Sequence, residues 1–246
     1  MRRACILLLL LSPVLGRADA PPLLHDAIQK LIVDDDHWAF TQSTQRFDRL
    51  GKPTGGLTIE RYDPSQPTEQ EWQLLQFRGH APTGTELEYW QAQKERALKR
   101  HGEKTLGDVL DLDHATLASE TPEAVTFVVP IMKDASKRFP ADKLEVFMQV
   151  DKARHALTSF SLRPKAPFRI AGVVKLESGE VDGRLEVVQG NYTPAVVWVR
   201  GSGSGRILGL FPIGMGEEVN FSSFHRVHPY NDRFEVKIGD IKALNF

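Results

Sequence analysis

Three consecutive carboxylates and an imidazole, Asp34-Asp35-Asp36-His37, are the residues of this chain whose types most resemble a metal site. Carboxylates suit hard cations, and histidine suits transition metals. A metal site needs ligands that converge from several parts of the chain, whereas neighbouring residues on a strand point to opposite faces. We therefore favour a solvated connection at the end of a helix over a metal site, and we predict no metal and no cofactor.

Three further patterns resemble catalytic or binding motifs. His225 and His228 have H-x-x-H spacing, but on a strand they would face opposite sides. The segment Gly201-Ser-Gly-Ser-Gly205 resembles a phosphate-binding loop, yet it lies between two predicted strands, lacks the lysine, and is predicted to be a hairpin turn. Glu60 and Asp63 would form an acid–base pair only if the fold brought other groups near them. The sequence gives no positive support for catalysis, and we predict that the protein is not an enzyme.

The first 20 residues have the features of a secretory signal peptide. Two arginines, Arg2 and Arg3, precede an apolar segment over residues 4–11, and small residues follow. The apolar segment is shorter than the roughly 20 residues that a membrane-spanning helix needs. Cleavage after Ala20 fits the A-x-A pattern, while cleavage after Gly16 or Ala18 stays open. We predict a periplasmic protein that is not integral to the membrane, with one domain over residues 21–246.

Charge and cysteine content exclude further classes. The chain has 31 Lys and Arg against 32 Asp and Glu, and its one cysteine, Cys5, lies within the predicted signal. Without residues 1–20 the net charge is about −3, which argues against a nucleic-acid partner because such binding depends on neutralising phosphates. The mature chain would have no disulfide, so its hydrophobic core alone must stabilise it.

Hydrophobic spacing predicts two helices. A short amphipathic helix covers residues 22–33. A second helix covers residues 83–101, where Thr83 and Glu86 have the spacing of a capping box. The basic side chains near its end suit the helix dipole, and contact with anionic lipid headgroups is the alternative.

Most of the remaining chain alternates as β-strands. Residues 37–47 and 56–63 predict a hairpin, and from Thr116 onward short apolar runs are separated by Gly, Pro, Asp and Asn. Short successive strands with tight connections favour an antiparallel meander. The predicted fold class is α+β, mainly antiparallel, with an open curved sheet and a few helices over its concave face.

Large apolar side chains recur on the predicted strands, either as ordinary core or as the lining of a cavity for an apolar ligand. A single curved sheet covered by few helices does not readily fill its concave side. The candidate cavity residues are Trp38, Phe40, Phe127, Phe147, Met148, Phe160 and Trp198.

The order of these elements resembles the periplasmic lipoprotein carrier superfamily that includes LolA. The resemblance covers about residues 22–188 and rests on Phe40-Thr41-Gln42 in the first strand, the hairpin over residues 144–162 and the strand pair over residues 167–188. It implies an open half-barrel that holds acyl chains or another hydrophobic ligand. Relative to that pattern, residues 83–101 are an inserted helix and residues from about 191 a C-terminal β extension.

Together these observations predict an exported envelope protein that binds a lipid, an acyl chain or a lipid-modified protein in the concave face. The alternative is a periplasmic sensor or assembly module that binds a protein partner of the envelope through the same fold with a packed core. A hydrolase with unrecognised carboxylates is the third hypothesis.

Overall fold

The computed structural model describes residues 22–34, 37–101, 106–133, 140–170, 174–207 and 211–230. The predicted signal peptide lies outside these residues. So do Asp35 and Asp36, the middle of the acidic run, and the structure therefore does not test the interpretation of that run.

Within these ranges the chain forms two α-helices and eleven β-strands, besides short 3-10 turns. In chain order the elements are α1 (Pro22–Asp34), β1 (Trp38–Asp48), β2 (Pro53–Tyr62), β3 (Trp72–Gln76), α2 (Gly84–His101), β4 (Thr116–Glu120), β5 (Ala124–Val129), β6 (Leu144–Asp151), β7 (Ala156–Pro164), β8 (Phe168–Ile170), β9 (Val174–Glu186), β10 (Ala195–Ile207) and β11 (Phe211–Arg226).

Both helices begin and end close to where the sequence predicts. The Glu86 carboxylate accepts hydrogen bonds of 2.9 Å from the Thr83 backbone N–H and from the Thr83 hydroxyl, which is the predicted capping box of α2. The hydrogen bond from the Thr83 backbone lowers the pKa of Glu86 below its ordinary value. The start of α2 is therefore stabilised by local interactions that need no contact with the sheet.

All eleven strands belong to one antiparallel sheet in the spatial order β3-β2-β1-β11-β10-β9-β7-β6-β5-β4, and β8 also pairs with β9. Among the described residues no pairing joins β3 to β4, so the sheet is open. This arrangement confirms the predicted fold class, a mainly antiparallel α+β fold with an open sheet.

The last two strands lie in the middle of the sheet. β11 pairs with β1 from Trp38 opposite Arg226 to Asp48 opposite Met215, and β10 lies between β11 and β9. The segment from about residue 191, which the resemblance presents as an extension, therefore connects the N-terminal hairpin to the rest of the sheet.

The predicted hairpin turn at Gly201–Gly205 is wrong. These residues lie inside β10, paired on one side with β9 and on the other with β11. The alternation of Gly and Ser is compatible with an extended strand, and strand neighbours on both sides satisfy its backbone hydrogen bonds. Because Gly and Ser alternate, Gly201 and Gly203 share one face of the sheet, and that face carries no side chain at these two positions.

The hydrophobic core lies between α1 and one end of the sheet. Leu24, Ala27 and Ile28 of α1 are at most 1 % exposed. They pack on alternate residues of β5 and β6, such as Phe127 and Met148. The buried residues of α1 thus recur at helical spacing and those of the strands at every second position, as expected for an amphipathic helix that packs on a sheet.

Phe160 of β7 extends this core over Gly183 of β9, the residue directly opposite it. A Cβ atom placed on Gly183 would overlap the Phe160 ring. Glycine is therefore required here by the close approach of an aromatic ring and not by its backbone conformation.

Replacing Gly183 with alanine should lower the free energy of unfolding by about 1–3 kcal/mol, because the Phe160 ring must leave its position. Denaturant unfolding measures the change. The matched control is Gly201→Ala on the neighbouring strand, where the added Cβ would meet Val181 at an ordinary 3.7 Å. That variant should be neutral or more stable by up to about 1 kcal/mol. Equal unfolding of the Gly183→Ala variant and the wild type would contradict the packing.

Candidate functional site

An apolar pocket of about 210 Å³ lies between the second half of α1 and the sheet. We call it the apolar pocket. Its lining residues are Leu31, Trp38, Phe40, Pro194, Ala195, Val196, Phe221 and Phe224.

A β-bulge in β11 builds one wall of this pocket. Ala39 of β1 pairs with His225, but Thr41 pairs with Ser222, so Ser223 and Phe224 together stand opposite one residue of β1. Ser223 adopts a positive φ of 54°, as the first residue of such a bulge can. Phe221 and Phe224, three residues apart, would face opposite sides of a regular strand, and the extra residue brings both into the pocket.

Phe40 lies at the centre of the aromatic side chains that border the pocket. Its ring centroid is 5.4 Å from that of Phe221, 5.8 Å from that of Phe224 and 5.2 Å from that of Tyr62. Trp72 packs against Tyr62 at 4.9 Å. Each such pair contributes about 0.5–1.5 kcal/mol beyond area burial, so the pocket has a stiff wall on this side.

Both helices lie on the same face of the sheet, which we call the helical face. Leu31 of α1 meets Phe40 of β1 in the apolar pocket. The α2 helix contacts Glu60 of β2. Gln42, the cross-strand partner of Glu60, lies two residues after Phe40 on β1. Residues two apart on a strand share a face. The helical face of β1 therefore changes along its length from apolar side chains to polar ones.

Glu60, Gln42, Trp90 and Lys94 form a polar cluster that attaches α2 to the sheet; we call it the Glu60 cluster. Glu60 is 6 % exposed, and its carboxylate accepts hydrogen bonds from the Gln42 amide at 2.9 Å and from the Trp90 indole N–H. The Lys94 ammonium lies 2.9 Å from the same carboxylate and 3.6 Å from the centroid of the Trp72 ring. A buried carboxylate is tolerated here because it is both paired and hydrogen-bonded.

The two carboxylates that the sequence offered for an acid–base pair, Glu60 and Asp63, have structural partners instead. Glu60 is held by the cluster just described. Partial burial of Asp63 raises its pKa, but hydrogen bonds from the Ser65 hydroxyl and backbone N–H, at 2.6 and 3.1 Å, outweigh burial and lower the pKa below its ordinary value. Neither carboxylate faces the apolar pocket as a free base.

A polar chamber of about 540 Å³ lies on the far side of the Glu60 cluster, beneath α2. Its lining includes Thr44, Arg46, Thr58 and Gln93. Arg46 is already paired with Glu217 at 3.0 Å. The chamber has polar walls, so an apolar chain would gain little from entering it.

Of the seven predicted cavity residues, the structure brings Trp38 and Phe40 together in the apolar pocket. Phe127 and Met148 are 1 % and 3 % exposed in the core beneath α1, and Phe160 packs against that core.

Phe147 and Trp198 lie on the opposite face of the sheet, and the seven residues therefore do not line one cavity. Phe147 alternates with the buried Met148 along β6. Trp198 pairs with Arg184, whose guanidinium lies 5.9 Å from the Trp198 ring, and a bulge in β10 separates it from Val196. Whether any of the seven contacts a ligand stays a prediction.

Other elements of the site have no clear signal in the sequence. Phe221 and Phe224 reach the pocket only through the bulge, and Leu31 reads as an ordinary core position of α1. Of the described residues, no three His, Cys, Asp or Glu side chains are placed to hold a metal ion. None of the described helices combines the length and apolar character needed to cross a membrane.

No family model and no curated protein matches this chain. Two solved structures are similar to it. One is a LolA superfamily protein from Nitrosomonas europaea, with 8 % identity and a TM-score of 0.38, covering 89 % of this chain and 98 % of that one. The other is a DUF1329 family protein from Desulfovibrio piger, with 11 % identity and a TM-score of 0.36, covering 85 % of this chain and 93 % of that one. The resemblance is one of fold. A LolA superfamily protein is thus among the solved structures this chain resembles, as the sequence predicted.

Replacing Glu60 with glutamine should loosen α2, because Lys94 loses its carboxylate partner in a largely buried position. We expect the opening free energy of α2 to fall by about 1.5–3 kcal/mol, measured by hydrogen exchange of the amides over Gly84–His101. In the control Glu217→Gln, an exposed ion pair is removed, and α2 exchange should be unchanged. Wild-type exchange of α2 in the Glu60→Gln variant would show that the Glu60 cluster does not hold the helix.

Proposed function

We propose that this chain binds the apolar part of a lipid or of a lipid-modified protein in the apolar pocket. The observation that supports this most directly is the lining, in which aromatic and aliphatic side chains surround an unfilled space next to a polar cluster. Apolar pockets with polar groups at one end are typical of small-molecule sites. Each methylene that such a pocket buries contributes about 0.8 kcal/mol.

The pocket is smaller than the roughly 300–1,000 Å³ of ordinary ligand sites. Beyond the pocket, however, the helical face carries two more apolar side chains, because Val219 lies two residues before Phe221 and pairs with Val199 of β10. Both valines are half-buried. An acyl chain that begins in the pocket can extend over this floor, which supports a chain-shaped ligand over a compact one.

The wall contributed by α1 is the one most able to move. Leu24, Ala27 and Ile28 are buried, whereas Leu31 is half-buried and Val33 is 60 % exposed. A displacement of the second half of α1 would enlarge the pocket and leave the core in place. We propose a binding role and not catalysis, since the Glu60 and Asp63 carboxylates are engaged in structural hydrogen bonds.

Native mass spectrometry of protein purified from its own envelope should show bound lipid. The Leu31→Trp variant should lose it, because an indole placed at Leu31 fills the pocket. The indole takes the space of about two methylene groups of the ligand in the apolar pocket, and this loss should weaken lipid binding roughly tenfold. Phe147→Trp is the control, since it adds the same indole on the opposite face and should leave binding intact. Unfolding curves show whether either variant is also destabilised.

Two results would contradict this function. One is a wild-type protein that is free of lipid and does not bind fluorescent fatty-acid probes. The other is equal probe affinity in the Leu31→Trp variant and the wild type. The first would favour the alternative, a module that binds an envelope protein through a packed core.

We further propose that the protein acts in the periplasm after removal of its N-terminal segment. Cell fractionation of the full chain should recover a shortened protein in the periplasmic fraction, with a mature N-terminus after residue 16, 18 or 20. A chain expressed without residues 1–20 should remain in the cytoplasm. Full-length protein retained in the cytoplasm would contradict this location.

A further inference from the structure

A groove of about 430 Å³ adjoins the apolar pocket and is lined in part by basic side chains. We call it the cationic groove. Lys30 and Arg154 are among its lining residues, together with Tyr192 and Pro194. Pro194 also lines the apolar pocket. In addition, α1 supplies consecutive residues to the two sites, Lys30 to the groove and Leu31 to the pocket, so the two sites are contiguous.

Arg154 provides a charge that pairs with no carboxylate of the described residues. It lies in the turn between β6 and β7, where its backbone N–H donates to the Asp151 carboxylate at 2.8 Å. Its side chain forms no ion pair within the described parts of the chain. The turn is therefore held by the backbone of Arg154, and the guanidinium is available to a ligand.

Lys30 is only partly compensated. Its ammonium lies 3.0 Å from the Asp26 carboxylate, which also lies 3.0 Å from the His155 ring nitrogen. The hydrogen bond from Lys30 and then that from His155 lower the pKa of Asp26, which stays ionised at neutral pH. Both Lys30 and Asp26 are more than two-fifths exposed, and such surface pairs are weak enough for an incoming anion to compete.

A third cation lies at the boundary between the two sites. The Arg226 guanidinium is 4.4 Å from the ring centroid of Tyr192, in the groove, and 4.9 Å from that of Trp38, in the pocket. The two rings contact each other edge to face at 5.7 Å. The Arg226 guanidinium thus lies between a residue of the groove and a residue of the apolar pocket.

We infer that the ligand is an amphiphile with an anionic headgroup, whose apolar chain occupies the apolar pocket while its carboxylate or phosphate binds Lys30 and Arg154. This inference rests on the proposed function of the pocket and adds the charge of the ligand. Arginine forms paired hydrogen bonds with either anion, and lysine adds a point charge. A cationic headgroup in the same position would meet repulsion from Lys30 and Arg154.

The test compares three ligands with the same ten-carbon chain and different head charge: decanoate, decanol and decyltrimethylammonium. Each is titrated calorimetrically into the full mature protein at pH 8, the two charged ligands below their micelle concentrations and decanol below its solubility limit. We expect decanoate to bind about tenfold more tightly than decanol, and the cationic ligand to bind most weakly. The preference for decanoate should shrink as salt is added.

Two charge-removing variants locate the headgroup. Arg154→Gln and Lys30→Gln should each weaken decanoate binding on the order of fivefold and leave decanol binding unchanged. The matched control is Lys52→Gln in the turn between β1 and β2, which removes an exposed charge away from both sites and should change neither affinity.

Equal binding of decanoate and decanol by the wild type would overturn the anionic headgroup and leave the apolar-ligand function standing. Unchanged decanoate affinity in both variants, or equal losses for decanoate and decanol, would also overturn it. If none of the three ligands binds, the proposed function of the pocket fails, and the inference about the headgroup fails with it.

Discussion

The pairing of β1 with β11 holds the two parts of the sheet together. Without it, the β1–β3 segment would have no strand connection to the core beneath α1. Among the described strand pairings it is also the most distant in sequence, since the Ser43 hydroxyl reaches the Asn220 carbonyl across 177 positions. Contacts of this kind are costly in chain entropy and must be compensated by what they bury. Here the compensation comes from aromatic side chains that converge on Phe40 from β2, β3 and β11.

The bulge within this pairing is what leaves an open apolar pocket in place of a filled core. In a regular register, Phe221 and Phe224 would point to opposite faces, and only one of them would meet Phe40. The extra residue at Ser223 brings both to the helical face, where their rings form a wall that α1 does not completely cover. The strain of the positive φ at Ser223, about 1–3 kcal/mol, is offset by the aromatic contacts that the bulge permits, each worth about 0.5–1.5 kcal/mol.

The helical face has three environments of increasing polarity along β1. Trp38 and Phe40 line the apolar pocket, Gln42 belongs to the Glu60 cluster, and Thr44 lines the polar chamber. Because residues two apart share a face, one strand defines three environments within a short distance. The buried Glu60 carboxylate forms the boundary, since its hydrogen bonds must be kept and an apolar chain cannot replace them. The apolar chain of the proposed ligand would thereby stay on the β10–β11 side of this face, away from α2.

Much of the fold follows from local pattern. The stripe of α1, the Thr83–Glu86 capping box and the alternation of β5 and β6 depend on neighbours within a few residues, and each of these is found where the sequence predicts it. The antiparallel fold class follows as well, because short strands with tight connections have few other arrangements. The Gly201–Gly205 segment was misread as a turn because Gly and Ser are common in turns, while its two strand partners are remote in sequence.

The sequence by itself determined which residues are apolar and in which elements they lie, and tertiary structure alone decided which of them meet. Trp38 and Trp198 are the same residue type on predicted strands, yet one lines the apolar pocket and the other lies on the opposite face. A single bulge reverses the direction of every later side chain on its strand, and bulges are set by pairing between distant strands. The contiguity of Lys30, Arg154 and Pro194 likewise depends on where α1 packs on the sheet. That position is determined by the whole core and not by any local run of residues.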